Sequence, residues 1–283
     1  MGAVAGVFKN VFKNEKSNMK LGIVIVSFGN IQVTFDCIKS ILKNSSNNVI
    51  VLIINNTVTN NLGYAGGCNK GFYILRGCCN YVILMNNDCL FFKTTIPQIL
   101  EHINNNDIGD FACPVVMGSN NQINYDGGNL TFIGAKHFKK GSFRAYKTKF
   151  MYGCCIIVKT ESFIKIGKFR EQYFMYWEDV DFSYRAVNQG YKTKCLGDVF
   201  VQHDNKSQFG LMRYYHTRNA LLYATLNYST GRYTAFIFYF FLYFVPVRVI
   251  YFAFKKKWTA IKYMLIGIKD YFLGRTGKYG ENK

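Results

Sequence analysis

Acid is scarce in this 283-residue chain, 16 Asp and Glu against 35 Lys and Arg, and it gathers at two points. The apolar run Tyr81-Val82-Ile83-Leu84-Met85 stops on Asn86-Asn87-Asp88. Much further on, Phe174-Met175-Tyr176-Trp177-Glu178-Asp179-Val180-Asp181 sets three carboxylates among aromatic side chains. A carboxylate at a strand end can hold a divalent cation. One in apolar surroundings has a raised pKa and can take a proton near neutral pH. A metal and a carboxylate base together suit displacement at a phosphate-activated carbon. Asn and Asp also end strands and begin helices for purely structural reasons; two such motifs in this order point to an active site.

The elements that must position them alternate. Leu21–Ser27 reads as a buried strand, residues 33–43 as a helix, residues 49–54 as a second strand ending on Asn55-Asn56, and residues 69–76 as the opening of a helix. Residues 81–85 form a third strand and residues 96–103 another helix. This βαβαβ order predicts an α/β fold: a Rossmann-like, mostly parallel sheet with flanking helices. Ligands of such sheets sit beyond the carboxyl ends of the strands, where Ser27, Asn55 and Asp88 all fall. Residues 110–150 read as short strands and turns. A strand over residues 153–159, a helix over 179–188, short strands over 191–196 and 199–201, and a helix over 212–227 follow.

With 49% hydrophobic and 17% aromatic residues the chain can bury a large core. The formal charge of +19 is held at its ends: residues 1–20 carry four Lys and one Glu, and residues 205–283 carry thirteen Lys or Arg against two acids. Basic ends beside aromatic stretches predict an anionic membrane surface as partner and no nucleic acid, since no finger, helix-turn-helix or RNA-recognition signature is present. Nine scattered cysteines without a C-x-x-C read as reduced core residues of a cytosolic protein. The expected division is a basic amphipathic extension over 1–18, a catalytic domain over 19–230 and a helical membrane-associating region over 231–283. Residues 235–254 include ten aromatics, but Pro246 and Arg248 interrupt them and Lys255-Lys256-Lys257 follow. That pattern suits a peripheral or monotopic segment lying in, and not threaded across, the cytoplasmic face of a membrane.

The order of motifs resembles the family 2 glycosyltransferases, in their rhamnosyltransferase-like branch with the GT-A fold, from Leu21 to about Tyr228. Val26-Ser27-Phe28-Gly29-Asn30 is similar to the opening strand motif, and Asn61-Leu62-Gly63-Tyr64-Ala65-Gly66-Gly67-Cys68-Asn69 to the Gly-rich stretch before a helix. Asn86-Asn87-Asp88 resembles the variant D-x-D motif, residues 174–185 the Glu-Asp motif, His203 the late metal-binding histidine, and Arg218-Asn219 the trailing Y-x-x-R-N helix. The resemblance implies an inverting, metal-assisted transfer of a sugar from a UDP- or dTDP-sugar to a hydroxyl of a glycan or lipid-linked glycan. It makes Asp179 the base with Glu178 beside it, and Asp88 and His203 the ligands of Mn²⁺ or Mg²⁺. It makes Ser27, Asn55, Gly63, Gly66, Gly67, Asn69, Asn87 and Arg218 donor-binding residues, the glycines by letting backbone approach the diphosphate and Arg218 by clamping a phosphate. Asp181 is expected to brace its helix with Arg185. Where the family has Asp in the second strand-end motif this chain has Asn55, and the loop that follows is short. A catalytically weakened glycan- or nucleotide-sugar-binding homologue is the alternative; retention of Asp88, Glu178, Asp179 and His203 argues against it.

Overall fold

The structure is a computed structural model that describes residues 7–8, 20–43, 48–57, 60–139, 141, 144–204 and 210–281. Its first half runs β1 (Val7–Phe8), β2 (Leu21–Ser27), α1 (Ile31–Leu42), β3 (Val49–Asn55), α2 (Gly63–Leu75), β4 (Tyr81–Asn86), β5 (Leu90–Phe91), α3 (Thr95–Asn104), β6 (Phe111–Met117) and β7 (Ile123–Tyr125). There follow β8 (Gly128–Thr131), β9 (Gly134–His137), β10 (Tyr146–Lys147), β11 (Cys155–Lys159), α4 (Thr160–Lys165), α5 (Glu178–Asn188) and β12 (Thr193–Gln202). Helices α6 (Leu211–Asn227), α7 (Thr230–Tyr239), α8 (Val245–Phe254) and α9 (Trp258–Phe272) close the chain.

All seven residues of β2 are buried, as befits a strand covered on both faces. It pairs in parallel with β3 on one side and β4 on the other, with Ser27 opposite Asn55 and Val26 opposite Asn86. The polar ends of three strands are thereby aligned along one edge. Beyond β4 the sheet changes sense. β11 runs antiparallel to both β4 and β6, and β12 is parallel to β6, giving the order β1-β3-β2-β4-β11-β6-β12-β10. β12 is one strand where the sequence suggests two; its register shifts between Leu196 and Phe200, a bulge that bends the strand without ending it.

α2 begins at Gly63, six residues before the helix expected from Asn69. Glycine disfavours helix, but here it permits close packing on β2. A Cβ on Gly67 would stand 2.7 Å from Cγ1 of Val26, and one on Gly71 would overlap Val24. The sequence treats residues 1–18 as an amphipathic anchor; Val7–Phe8 instead adds an antiparallel strand to the edge of β3, and the remainder of that expectation lies outside the described residues.

The C-terminal part divides differently from the expected boundary at 231. α9 docks on α6: Gly267 lies against the Tyr214 carbonyl, the Tyr214 hydroxyl donates to Asp270 at 2.9 Å, and Thr225 and Tyr271 share a hydrogen bond of 2.6 Å. The tail after α9 is tied down too, with the Gly277 N–H donating to the Gln172 carbonyl at 2.8 Å. What stands apart is the run of α7, a π-helical turn at Phe240–Phe244, and α8. Together they make a 25-residue helix, Thr230–Phe254, whose most apolar stretch has a mean hydropathy of 1.9, long and apolar enough to cross a membrane. Only 17% of its most apolar window is buried, and Leu242, Ile250 and Phe254 are exposed.

Candidate active site

The aligned strand ends build one half of the site. Asp88, just past β4, is part-exposed, and its Oδ1 lies 3.1 Å from Nε2 of His203, which follows β12 and is buried. The His203 N–H of the backbone is fixed on the Met117 carbonyl at 2.8 Å, while its Nδ1 is buried with no hydrogen-bond partner among the described residues. A carboxylate and an imidazole on an open edge suit a Mg²⁺ or Mn²⁺ that takes its other oxygens from a diphosphate and water. No set of three or more His, Cys, Asp or Glu that could form a cage exists among the described residues, so a cation here needs the nucleotide to complete its shell.

Several residues expected to touch the donor instead hold this edge in shape. Ser27 is buried and shares a 2.7 Å hydrogen bond with Thr34. The Asn87 amide donates to Thr34 at 2.9 Å and to the Phe28 carbonyl at 3.3 Å, which fixes the turn that carries Asp88. Asn55 is exposed at the end of β3. Its neighbour Asn56, not anticipated, is buried and donates to the Gly63 carbonyl at 2.7 Å, tying β3 to the start of α2. The glycines do not form a loop around a diphosphate: Gly66 and Gly67 are buried inside α2, and Gly63 (φ +71°) sits against the Phe174 carbonyl, where a Cβ would overlap it. Asn69 is likewise buried, giving hydrogen bonds to the Phe169 carbonyl (2.8 Å) and Glu171 (2.9 Å).

The other half of the site is the segment before α5. Phe174 (φ 64°), Tyr176 (φ 63°) and Trp177 (φ 76°) all lie in left-handed backbone that costs non-glycine residues roughly 1–3 kcal/mol each. At Phe174 the Met175 N–H returns to the Tyr173 carbonyl at 2.8 Å, a strained γ-turn. The strain is held from α6. The Asn219 amide nitrogen lies 3.0, 2.9 and 2.8 Å from the carbonyls of Tyr173, Met175 and Tyr176. Arg218, expected as a phosphate clamp, is fully buried. Its guanidinium donates to the carbonyls of Tyr173 (3.1 Å), Gln172 (3.3 Å) and Gly277 (2.6 Å). With its guanidinium buried and spent on these carbonyls, Arg218 braces the segment.

The braced segment delivers Glu178 and Asp179 to the first turn of α5, where the helix dipole favours anions. Asp179 accepts from the N–H of Gly153 at 2.9 Å and from that of Val180 at 2.8 Å. Burial nevertheless raises its pKa from 3.8 to about 6, the two N–H groups opposing the rise. Burial first, and then the Asp179 charge, hold Glu178 well above the usual carboxylate range; its Oε2 is buried with no hydrogen-bond partner among the described residues. Both carboxyls of the pair are thus pushed upward, by burial first. Asp181 is structural, as the sequence suggests. It is fully buried, bound by Arg185 at 2.8 Å and Arg170 at 2.7 Å.

Two contacts join the halves. Gly153, whose N–H holds Asp179, is followed by Cys154, whose carbonyl accepts from Asn86 at 3.0 Å, two residues before Asp88. The Tyr176 phenol, raised chiefly by burial, also feels the charges of both Glu178 and Asp88. The backbone bonds through Gly153 and Cys154 thus link the turn that carries Asp88 to the first turn of α5.

A family model described as Glycosyl transferase family 2 matches residues 57–167. Among solved structures the chain is similar to GalNAc-T7, crystallised with UDP, GalNAc and Mn²⁺, at a TM-score of 0.55 and 12% identity, over 73% of this chain and 51% of that one. It thus spans about half the length of that protein. It is also similar to S. aureus TarS 1–349, at a TM-score of 0.50 and 12% identity, over 90% of this chain and 92% of the other. A search of curated protein sequences returns no match. The fold these likenesses define is a mixed α/β, GT-A-like one, with a central sheet and flanking helices.

Proposed function

We propose that this protein is a glycosyltransferase that moves a sugar from a nucleotide-sugar, a UDP- or dTDP-sugar, to a hydroxyl of a glycan or lipid-linked glycan, with inversion. The observation that carries this reading is the pairing of Asp88 with His203 at 3.1 Å beside the strained segment that presents Asp179. Asp179 is the proton acceptor. With a pKa of about 6 it is ionised at neutral pH yet basic enough to draw a proton from a hydroxyl in flight. Burial and the Asp179 charge make Glu178 beside it harder to ionise, which disfavours a second negative charge next to Asp179. Asp88 and His203 would hold a Mn²⁺ or Mg²⁺, which when bound neutralises charge developing on the departing nucleoside diphosphate. Exposed Asn55 is the strand-end residue left open to meet the nucleoside. A rhamnosyl-type sugar fits the motif resemblance. The exposed Thr230–Phe254 helix and the lysines after it support attachment to the cytoplasmic face of a membrane.

Calorimetric titration of UDP and dTDP with and without Mn²⁺ tests the reading without any acceptor. Binding should weaken at least tenfold when the cation is chelated, and Asp88→Ala and His203→Ala should lose the cation dependence. Equal affinity with and without Mn²⁺ in the native protein would remove these residues from a metal role.

A further inference from the structure

Between α6 and the Thr230–Phe254 helix lies a cavity of about 290 Å³. That is near the lower end of the roughly 300–1,000 Å³ typical of ligand sites. Its wall is mostly aromatic: Phe236, Phe240, Phe244 and Phe252 come from the C-terminal helix, and Trp177 from the segment that carries Glu178 and Asp179. Into this apolar lining project two guanidinium groups and an imidazole, Arg213, Arg248 and His216, and no carboxylate lines it among the described residues. Each arginine is stacked on an aromatic ring of the wall, Arg213 at 5.2 Å from the Phe252 centroid and Arg248 at 5.5 Å from that of Phe244.

Two facts need a common explanation. Arg248 and Arg232 are the cations of a helix otherwise apolar enough to cross a membrane. Arg232 is stacked at 4.2 Å on Tyr228, whereas Arg248 is turned to the cavity. Arg213 meets it there across the space, although like charges in a partly apolar wall repel. Their proximity is visible in the electrostatics: burial first, and then Arg248, lower the Arg213 pKa. Burial followed by both arginines takes His216 down to about 4, so His216 is neutral at pH 7. A neutral imidazole and two guanidiniums amount to a site for one anionic group of up to two charges, and a phosphate matches the guanidinium fork. An aromatic wall is suited to an apolar group, and Leu242, Ile250 and Phe254 leave another side of the helix apolar and exposed.

We propose that this cavity binds the phosphate-bearing head of an amphiphilic acceptor, with its apolar chain along the exposed side of the Thr230–Phe254 helix. The inference rests on the glycosyltransferase reading and names the acceptor class for it. Continuity with the active site gives the geometry. Trp177 lines the cavity and directly precedes Glu178, and His216 stacks on Tyr176 at 4.6 Å, the residue whose phenol feels Asp88 and Glu178. An acceptor held by its phosphate between Arg213 and Arg248 would point a sugar hydroxyl past Trp177 toward Asp179.

The chain has two tryptophans. In a Trp258→Phe background Trp177 alone reports, and Trp258 is exposed at the start of α9. Decyl phosphate, inorganic phosphate and decanol are titrated against its fluorescence below the micelle threshold. The expected result is saturable quenching by decyl phosphate at least tenfold tighter than by either of the others, weakened tenfold or more by Arg248→Gln. Equal affinity for inorganic phosphate would make this a site for free phosphate and overturn the proposal. Equal affinity for decanol, or binding untouched in Arg248→Gln, would overturn it as well. UDP titration of the same Arg248→Gln protein separates the two readings. Retained UDP binding with lost decyl phosphate binding supports the acceptor site. Absent UDP binding in the native protein counts against the transferase reading alone and leaves the phosphate result to stand on its own.

Discussion

Removing the Asn219 amide tests how far the active segment depends on α6. Asn219→Leu keeps the size of the side chain and takes away hydrogen bonding that reaches the carbonyls of Tyr173, Met175 and Tyr176. Two N–H groups serve those three acceptors, so at least one buried carbonyl loses its partner, and a buried unsatisfied group costs about 1–3 kcal/mol. Three left-handed residues, each strained by roughly 1–3 kcal/mol, are then free to relax. Relaxation recovers part of that strain, so the net loss of stability from that carbonyl stays below about 3 kcal/mol by the same values. The released segment gives up its geometry more than the domain gives up its fold. Hydrogen exchange followed residue by residue should show the amide of Met175, which closes the γ-turn, and that of Ala65, which donates to the Phe174 carbonyl, exchanging at least tenfold faster. Strand amides of β2 should change far less. Urea unfolding should give a lower midpoint with an unchanged slope, and donor turnover should fall by about 10²-fold, the scale of a misplaced general base. Unchanged exchange at Met175 and Ala65 together with native turnover would refute the idea that α6 holds the strain.

Two further expectations concern charge. Asp179 titrates at about 6, so turnover should rise with pH through that value and level off above it; Asp179→Asn should flatten the profile and lower the plateau by about 10²-fold or more. The same raised pKa has an opposite sign for stability. The folded state holds the proton more tightly than the unfolded chain, so this group's stabilisation is complete below about pH 4 and is lost as pH rises through about 6. Unfolding midpoints of the native and Asp179→Asn proteins between pH 4 and 7.5 check it, the native protein losing more stability across that window than the variant, in which Glu178 alone of the pair still has a raised pKa. Replacing Lys255, Lys256 and Lys257 by Gln should release the protein from vesicles containing anionic lipid, with the effect fading in 0.5 M salt; each lysine is worth about 1 kcal/mol at such a surface. Retention on vesicles after the triple substitution would mean that the apolar helix alone provides attachment.

Much of the frame can be read from residue patterns, because its forces are local and repetitive. The apolar runs over 21–27, 49–54 and 81–85 are strands of the sheet, the first buried along its whole length and the other two along most of theirs, as their continuous apolar character suggests. Asp88 could be named because a carboxylate ends a strand of the sheet; His203 is reached only through the motif resemblance, and the structure brings its ring to Asp88. The errors arise where a long-range partner decides. Gly63, Gly66 and Gly67 suggest a loop by propensity; only the valines of β2 and the carbonyl of Phe174 make them part of a helix. Arg218 reads as a free cation on a helix, since nothing near it in sequence says that the tail around Gly277 folds back over it. Asn55 and Asn56 are alike as letters, yet the strand alternation turns one to solvent and the other to α2. The strain at residues 174–177 leaves a trace that can be recognised afterwards: an Asn on a later helix that must satisfy several carbonyls.

The π-helical turn at Phe240–Phe244 sets where the length of the C-terminal helix can vary. In it the Val245 N–H reaches back five residues to the Phe240 carbonyl, so the turn holds one residue more than an α-helix needs. Deleting one residue inside 240–244 lets ordinary bonds close the turn and leaves Phe236 upstream and Phe252 downstream facing the same side. Deleting one anywhere else rotates everything beyond it by about 100° about the helix axis, since 3.6 residues make a turn. Arg248 and the aromatic wall would then swing out of phase with α6. This five-residue stretch is the one point in the 25-residue helix where a length change and the phase of its two faces are uncoupled.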